Sequence, residues 1–288
     1  MKKFKLLLVV GLTIFMTGCF KADDFEDITI YTTVYPIEYI TKYLYGDYSE
    51  INSIYPDGIN VNTYELTNKQ IKDYSNMNLY IFNGNDDKEA NYVTSISKYN
   101  KNLKIIDATN TMEYNYTEKE LWLDPSNFLM IALNIKNGIL EYTTNHYLNE
   151  SIEKNYNELK MQISKIDANL KLVYENSENK TLVVDDSSFK FLEKYGFTVI
   201  SLEENDELND KVILDVKNLI EEDIIDYIFT TNQEKINATV QEIMDETDVE
   251  IAELNTIDNI TDEQRKNKED YITLLNENIE LFKNELYN

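Results

Sequence analysis

The strongest constraint on the fold is an uninterrupted helical pattern in the middle of the chain, from Asn149 to about Asn176. Its apolar residues recur every three or four positions, as one stripe on a single α-helix. The stripe consists of Ile152, Tyr156, Leu159, Ile163, Ile166, Leu170 and Val173. Asn149 is expected to cap the N-terminus. At 1.5 Å per residue the helix would be about 40 Å long, the width of a whole lobe.

A strand of a coiled coil would show the same stripe. About four heptads is short for a coiled coil, and strand-forming segments lie on both sides. The pattern therefore favours a rigid helix that connects two parts of one molecule.

Strand and helix patterns alternate on either side of this helix. Strands are expected at 28–34, 51–55, 79–82, 103–107, 181–184, 198–202, 224–230 and 249–254. Helices are expected from Pro36 and at 67–74, 90–99, 128–142, 189–195, 212–222 and 238–247, with one long closing helix at 262–286. Such alternation predicts an α/β fold with two lobes, each built on a parallel sheet.

Parallel sheets bind ligands at the carboxyl ends of their strands, so the site is expected in the cleft between the lobes. The chain has only seven glycines, and no glycine-rich phosphate loop follows any strand, which argues against a nucleotide. With 27 basic and 53 acidic residues and no basic cluster, the chain is not expected to bind nucleic acid.

Residues 1–18 have the features of a secretory signal. Three lysines precede an apolar stretch that is too short to span a membrane, and the segment ends at Thr17, Gly18 and Cys19. This ending resembles a bacterial lipobox, so lipidation is expected at Cys19, the only cysteine; the alternative is a buried free thiol. Cleavage would leave 24 basic and 53 acidic residues, a net charge of −29.

The expected organisation is a signal peptide at 1–18, a tether at 19–27, an N-terminal lobe at 28–148, a connecting helix at 149–177 and a C-terminal lobe at 178–288. The acylated protein is expected on the extracytoplasmic face of the cell membrane, as a monomer held by its lipid anchor.

Several loops resemble motifs of one family, in collinear order. Residues 54–67 resemble the segment IPPGxDPHxYEPT, residues 121–125 resemble the end of PHxWLDP, and residues 185–196 resemble HxAFGYxAxxYG. Residues 32–36, the strand at 228–231 and the closing helix with Asp270 and Tyr271 also fit. These motifs are similar to those of the zinc- and manganese-type solute-binding lipoproteins of bacterial metal ABC importers, the helical-backbone class (cluster A-I). The resemblance implies two lobes joined by a rigid helix and a permease as partner.

In that family three histidines and one acid hold the metal, and the resemblance places Asn62, Glu120, Asp185 and Asn255 at those four positions. Asp258 and Glu253 are near substitutes for Asn255. The only histidine, His146, lies away from these positions and is expected on the surface. Zn²⁺ sites are typically built from nitrogen and sulfur ligands, whereas oxygen ligands such as these suit Mn²⁺, Mg²⁺ or Ca²⁺. A divalent ion at an altered site and the loss of metal binding both remain open.

The expected function is thus capture of a ligand, a divalent metal ion at an altered site, and its delivery to a permease. One alternative is an organic ligand or a metal chelate in a cleft lined by Tyr31, Tyr35, Tyr55 and Trp122. Another is a surface lipoprotein that adheres to a partner. An enzyme is not expected, because the sequence offers no catalytic nucleophile or histidine base.

Overall fold

The computed structural model describes residues 25–113, 120–205 and 208–287. The strands are β1 (Thr29–Thr32), β2 (Glu50–Ser53), β3 (Leu79–Phe82), β4 (Lys104–Asp107), β5 (Thr181–Val184), β6 (Thr198–Ser201), β7 (Tyr227–Thr230) and β8 (Glu250–Glu253). The α-helices are α1 (Tyr35–Tyr45), α2 (Asn68–Tyr74), α3 (Asp87–Ser97), α4 (Pro125–Tyr142), α5 (His146–Asn176), α6 (Asp210–Glu221), α7 (Ala238–Glu246), α8 (Asp262–Asn267) and α9 (Tyr271–Leu286). The expected signal peptide and Cys19 lie outside the described residues.

The strands form two four-stranded sheets with the same topology. Their orders are β2-β1-β3-β4 and β6-β5-β7-β8, and every neighbouring pair is parallel. One sheet precedes α5 in the chain and the other follows it. The predicted α/β fold with two parallel sheets is therefore confirmed.

The connecting helix α5 has 31 residues and begins at His146, three residues before the predicted start. Asn145 is its cap, since its side chain accepts a hydrogen bond from the backbone N–H of Leu148. The prediction that Asn149 caps the helix is wrong; Asn149 lies in the first turn. The apolar stripe is buried as expected, apart from the half-buried Tyr156.

The closing segment is two helices rather than the single long helix that was predicted. Helix α8 ends where Lys268 adopts a left-handed conformation with φ 63°. Asp270 then caps α9 by accepting a hydrogen bond from the N–H of Thr273. The predicted helix at 189–195 is a 3₁₀-helix, Lys190–Tyr195, which ends at the left-handed Gly196.

A crossing segment, residues 254–261, runs from the end of β8 to the first lobe. The carbonyl of Asp258 accepts a hydrogen bond from the N–H of Tyr35 (2.9 Å), and that of Ile260 accepts one from Gly58 (2.9 Å). The Asn259 amide donates to the carbonyl oxygens of Pro56 and Ile59, at 3.0 Å each. The two lobes are therefore joined by backbone hydrogen bonds as well as by α5.

A cluster of charged side chains joins the lobes beside this segment. Arg265 of α8, the only arginine, makes two hydrogen bonds to Asp57 (2.6 and 2.7 Å) and two to Glu38 of α1 (3.0 and 3.3 Å). Glu38 is buried, so the guanidinium compensates a charge that is removed from water.

In the described parts of the chain, no helix is both long and apolar enough to span a bilayer.

Candidate functional site

A pocket of about 370 Å³ lies between the two lobes. It is lined by Val34, Val61, Asn62, Asn83, Asn85, Asp86, Glu120, Trp122, Asp186 and Asp258. Val34, Asn83 and Asp186 follow β1, β3 and β5, so the pocket lies at the carboxyl ends of strands from both sheets. This is where ligands bind in open parallel sheets.

Two of the four predicted ligand positions, Asn62 and Glu120, line this pocket. Asn62 is exposed, in a turn where the side chain of Asn60 accepts a hydrogen bond from its N–H (2.9 Å). Glu120 has a left-handed backbone (φ 40°) and leads into the 3₁₀-helix Leu121–Leu123. Its carboxylate accepts a hydrogen bond from the hydroxyl of Ser188 in the other lobe, at 2.6 Å.

The other two positions, Asp185 and Asn255, do not line the pocket. Asp185 is turned toward its own sheet, where the Thr230 hydroxyl (2.6 Å) and the Thr231 N–H (3.1 and 3.2 Å) donate to its carboxylate. Burial raises the pKa of Asp185, and these hydrogen bonds oppose that rise. The side chain of Asn255 accepts a hydrogen bond from the N–H of Ile257 (2.8 Å). Both side chains thus satisfy groups within their own lobe.

Their neighbours Asp186 and Asp258 face the pocket instead. Asp186 accepts a hydrogen bond from the N–H of Ser188 (2.8 Å). Asp258 accepts one from the hydroxyl of Thr256 (2.8 Å). Burial raises the pKa of Asp258, because desolvation disfavours its charged form.

Among the described residues that line the pocket, four carry carboxylates and none is basic. The carboxylates are those of Asp86, Glu120, Asp186 and Asp258. Asp86 also caps α3, accepting hydrogen bonds from Lys88 (2.8 Å) and Glu89 (3.1 Å). The pocket therefore favours a cation and disfavours an anion.

The donors suit a hard cation by type, since carboxylate and amide oxygens are the usual ligands of Mn²⁺, Mg²⁺ and Ca²⁺. Their spacing is looser than in a closed metal site: nowhere in the described ranges do three or more His, Cys, Asp or Glu side chains converge tightly enough to hold a metal. Capture of an ion by these groups would require side-chain rotation or a small approach of the lobes.

Of the four aromatic residues expected in the cleft, only Trp122 lines the pocket. Its indole N–H donates to the carbonyl of Thr256 in the crossing segment, at 2.7 Å. Tyr35 and Tyr55 are buried in the core, and Tyr31 packs on Tyr74 with ring centroids 4.8 Å apart. The expectation that Tyr31, Tyr35 and Tyr55 line the cleft is therefore wrong.

Two further candidates lie elsewhere. Glu253, a proposed substitute for Asn255, accepts a hydrogen bond from the N–H of Gln233 (3.1 Å) and lines an open groove between the crossing segment and α9. His146 is the first residue of α5, with a side chain 79% exposed, and is not among the residues that line the pocket.

Sequence reasoning missed three lining residues in the loop after β3, namely Asn83, Asn85 and Asp86. The run of asparagine and aspartate after a buried strand was the available signal. Asp186 was not predicted as a ligand because the family motif aligns its neighbour Asp185.

The profile of the family described as "Zinc-uptake complex component A periplasmic" matches residues 30–285. The zinc-binding lipoprotein AdcA of Streptococcus pneumoniae is 22% identical, over 98% of this chain and 61% of AdcA. The manganese ABC transporter substrate-binding lipoprotein PsaA of the same organism is 26% identical, over 66% of each chain. The chain thus spans about three-fifths of the length of AdcA.

Solved structures show the same fold. The Zn(II)-bound ZnuA-like domain of Streptococcus pneumoniae AdcA superposes with a TM-score of 0.73 at 19% identity, over 91% of this chain and all of that domain. The metal-dependent lipoprotein YcdH of Bacillus subtilis gives a TM-score of 0.73 at 18% identity, over 91% and 100%. Because the family profile covers nearly the whole chain and the two-lobed fold agrees with it, this protein belongs to the family of the periplasmic zinc-uptake complex component A.

Proposed function

We propose that this protein is the extracytoplasmic solute-binding component of a metal-type ABC importer, and that it binds a hard divalent cation between its lobes. The observation that carries the proposal is the inter-lobe pocket, whose described lining residues supply four carboxylates and three amides but no basic side chain. Relatives named as zinc- and manganese-binding lipoproteins support a divalent metal as the transported substrate.

The proposed ligands are Asn62 and Glu120 from the first lobe and Asp186 and Asp258 from the second. The side chains of Asp185 and Asn255 already hydrogen-bond groups within their own lobe, which supports Asp186 and Asp258 as the ligands in their place. Imidazole is absent from this set, so we propose a preference for Mn²⁺, Mg²⁺ or Ca²⁺ over Zn²⁺.

Delivery to a permease and attachment to the membrane through acylated Cys19 belong to the same proposal. The lipoprotein relatives support the anchor. Binding would involve a small approach of the lobes rather than wide closure, because α5 and the crossing segment both join them. We infer no enzymatic step.

Elemental analysis and thermal melts test whether the protein binds a metal ion. The purified protein would be titrated with Mn²⁺, Mg²⁺, Ca²⁺ and Zn²⁺, alone and as Glu120→Gln and Asp186→Asn. A stoichiometric ion whose stabilisation is reduced in both variants supports the proposal. No shift of the melting temperature with any ion contradicts it, and favours the adhesive lipoprotein or an organic ligand.

A further inference from the structure

Glu89, in the first turn of α3, is a carboxylic acid buried behind the first lobe's half of the pocket. Its side chain is almost completely removed from solvent, with 1% exposed. One carboxylate oxygen accepts a hydrogen bond from the backbone N–H of Asn83 at 2.8 Å. The other accepts a long hydrogen bond from the hydroxyl of Tyr55 at 3.4 Å. Neither contact is an ion pair.

Two further hydroxyls in this region have unused hydrogen-bonding capacity. The side-chain oxygens of Thr33 and Tyr80 are buried and have no hydrogen-bond partner within the described residues. The Thr33 hydroxyl lies near enough to the Glu89 carboxylate to lower its pKa, although it does not meet hydrogen-bonding geometry. Burial raises the pKa of the Tyr80 phenol, and Glu89 adds to that rise.

The charged neighbours of Glu89 do not neutralise it. Burial raises its pKa from 4.5 to about 8, and the adjacent Asp86 adds to the rise. The ammonium of Lys88 opposes the rise but interacts with the carbonyl oxygens of Val61 and Tyr64 instead. Among the described residues, the tyrosines Tyr55 and Tyr80 also interact with Glu89, and burial raises their pKa values too.

The groups around Glu89 belong to three strand ends that build the pocket. Thr33 follows β1 and precedes the lining residue Val34. Tyr55 begins the loop that leads from β2 to Asn62. Asn83 begins the lining loop after β3. One buried carboxyl is thus hydrogen-bonded to the second and third of these segments and lies close to the first.

We propose that Glu89 is a positioning residue for the pocket, whose buried side chain holds the segments after β1, β2 and β3 in place. A protonated carboxyl can donate to one of the unused hydroxyl oxygens while still accepting from Asn83, as an ionised one cannot. The relevance of this positioning to ligand binding rests on the proposed function, whereas the positioning itself is independent of that function.

Hydrogen exchange of the metal-free protein tests the positioning. Glu89→Leu keeps most of the volume but removes the hydrogen bonds, whereas Glu89→Gln retains one donor and one acceptor. Asp87→Asn changes an exposed acid of the same turn and is the matched control. We expect the amides of residues 83–86 to exchange about tenfold faster in Glu89→Leu, and within about twofold of wild type in the other two variants.

A pH series separates positioning from simple core packing. After correction for intrinsic exchange, raising the pH from about 6 to about 9 should speed exchange of this loop in wild type and in Asp87→Asn, but not in Glu89→Gln. Unchanged loop exchange in Glu89→Leu, or the same pH dependence in Glu89→Gln as in wild type, would overturn the proposal. If Glu89→Leu does not fold, the Glu89→Gln series alone decides.

Titration with Mn²⁺ connects the two proposals while keeping them distinguishable. Weaker binding in Glu89→Leu, with normal binding in Glu89→Gln, supports a role of Glu89 in ligand capture. If wild type itself binds no metal, the proposed function fails, and the exchange experiment still decides the role of Glu89.

Discussion

The two lobes have the same strand order but use the ends of their strands differently. In the first lobe, Asn62 and Asn83, in the loops that follow β2 and β3, line the pocket. In the second, the first polar residue after β5, Asp185, turns back to hydrogen-bond Thr230 and Thr231. Identical topology therefore positions a site but does not determine which side chains reach it. Local hydrogen bonds make that choice.

The largest predicted effect concerns Arg265, which joins the lobes. Arg265→Met leaves the buried carboxylate of Glu38 with Lys42 as its remaining partner. We expect a loss of about 2–3 kcal/mol in the free energy of unfolding, below the range for a fully buried pair because Arg265 is partly exposed. Urea denaturation measures it. The double variant with Glu38→Gln should lose less; equal losses would show that the removal of Arg265 does not destabilise the Glu38 carboxylate.

The second prediction is a pH dependence that arises in the second lobe. Glu285 of α9 is 3% exposed, and burial raises its pKa from 4.5 to about 7. Between these values the unfolded chain has lost a proton that the folded protein keeps, so stability falls as the pH rises from about 4.5 to about 7. Glu285→Gln should flatten that part of the curve by about 2 kcal/mol. An unchanged slope in denaturation at several pH values would contradict it.

The third prediction assigns different roles to two adjacent acids, a structural role to Asp185 and a ligand role to Asp186. Asp185→Asn should lower the free energy of unfolding by about 1–2 kcal/mol, because charge-assisted hydrogen bonds to Thr230 and Thr231 weaken. It should leave Mn²⁺ binding nearly unchanged. Asp186→Asn should do the reverse, with little effect on stability and about tenfold weaker binding. Denaturation and calorimetric titration of both proteins measure the pair, and the opposite assignment of effects would favour Asp185 as the ligand.

The smallest effect is expected at Trp122, where the lobes meet beside the pocket. Trp122→Phe removes the indole hydrogen bond to Thr256, which should cost about 1 kcal/mol. Trp122 is the only tryptophan, so the change is best followed by circular dichroism rather than fluorescence. A change below about 0.3 kcal/mol would show that this contact does not help to join the lobes.

The regular parts of the fold were predictable because they depend on periodicity. The stripe from Ile152 to Val173 follows from its spacing, and the eight strand segments follow from short runs of β-branched, aromatic and other apolar residues. The break at Lys268 was missed, because residues 261–270 contain no apolar side chain that could show where one helical stripe ends and the next begins. Asp270, which caps the second helix, was the available signal.

The site was predictable to the level of loops but not of side chains. The motifs located Asn62 and Glu120 in loops that meet at the pocket. Whether Asp185 or Asp186 faces inward depends on the hydroxyl of Thr230, some 45 residues later in the chain. Such a contact leaves no trace in local sequence spacing.

The crossing segment has a consequence for the timing of ligand exchange. The same eight residues that contribute Asp258 to the pocket wall also form the hydrogen bonds to Tyr35 and Gly58. Widening the pocket by separating the lobes would therefore first break those bonds, whether or not a ligand is present. This shared barrier would slow entry and escape together, so that the residence time of a bound solute could lengthen without any gain in affinity.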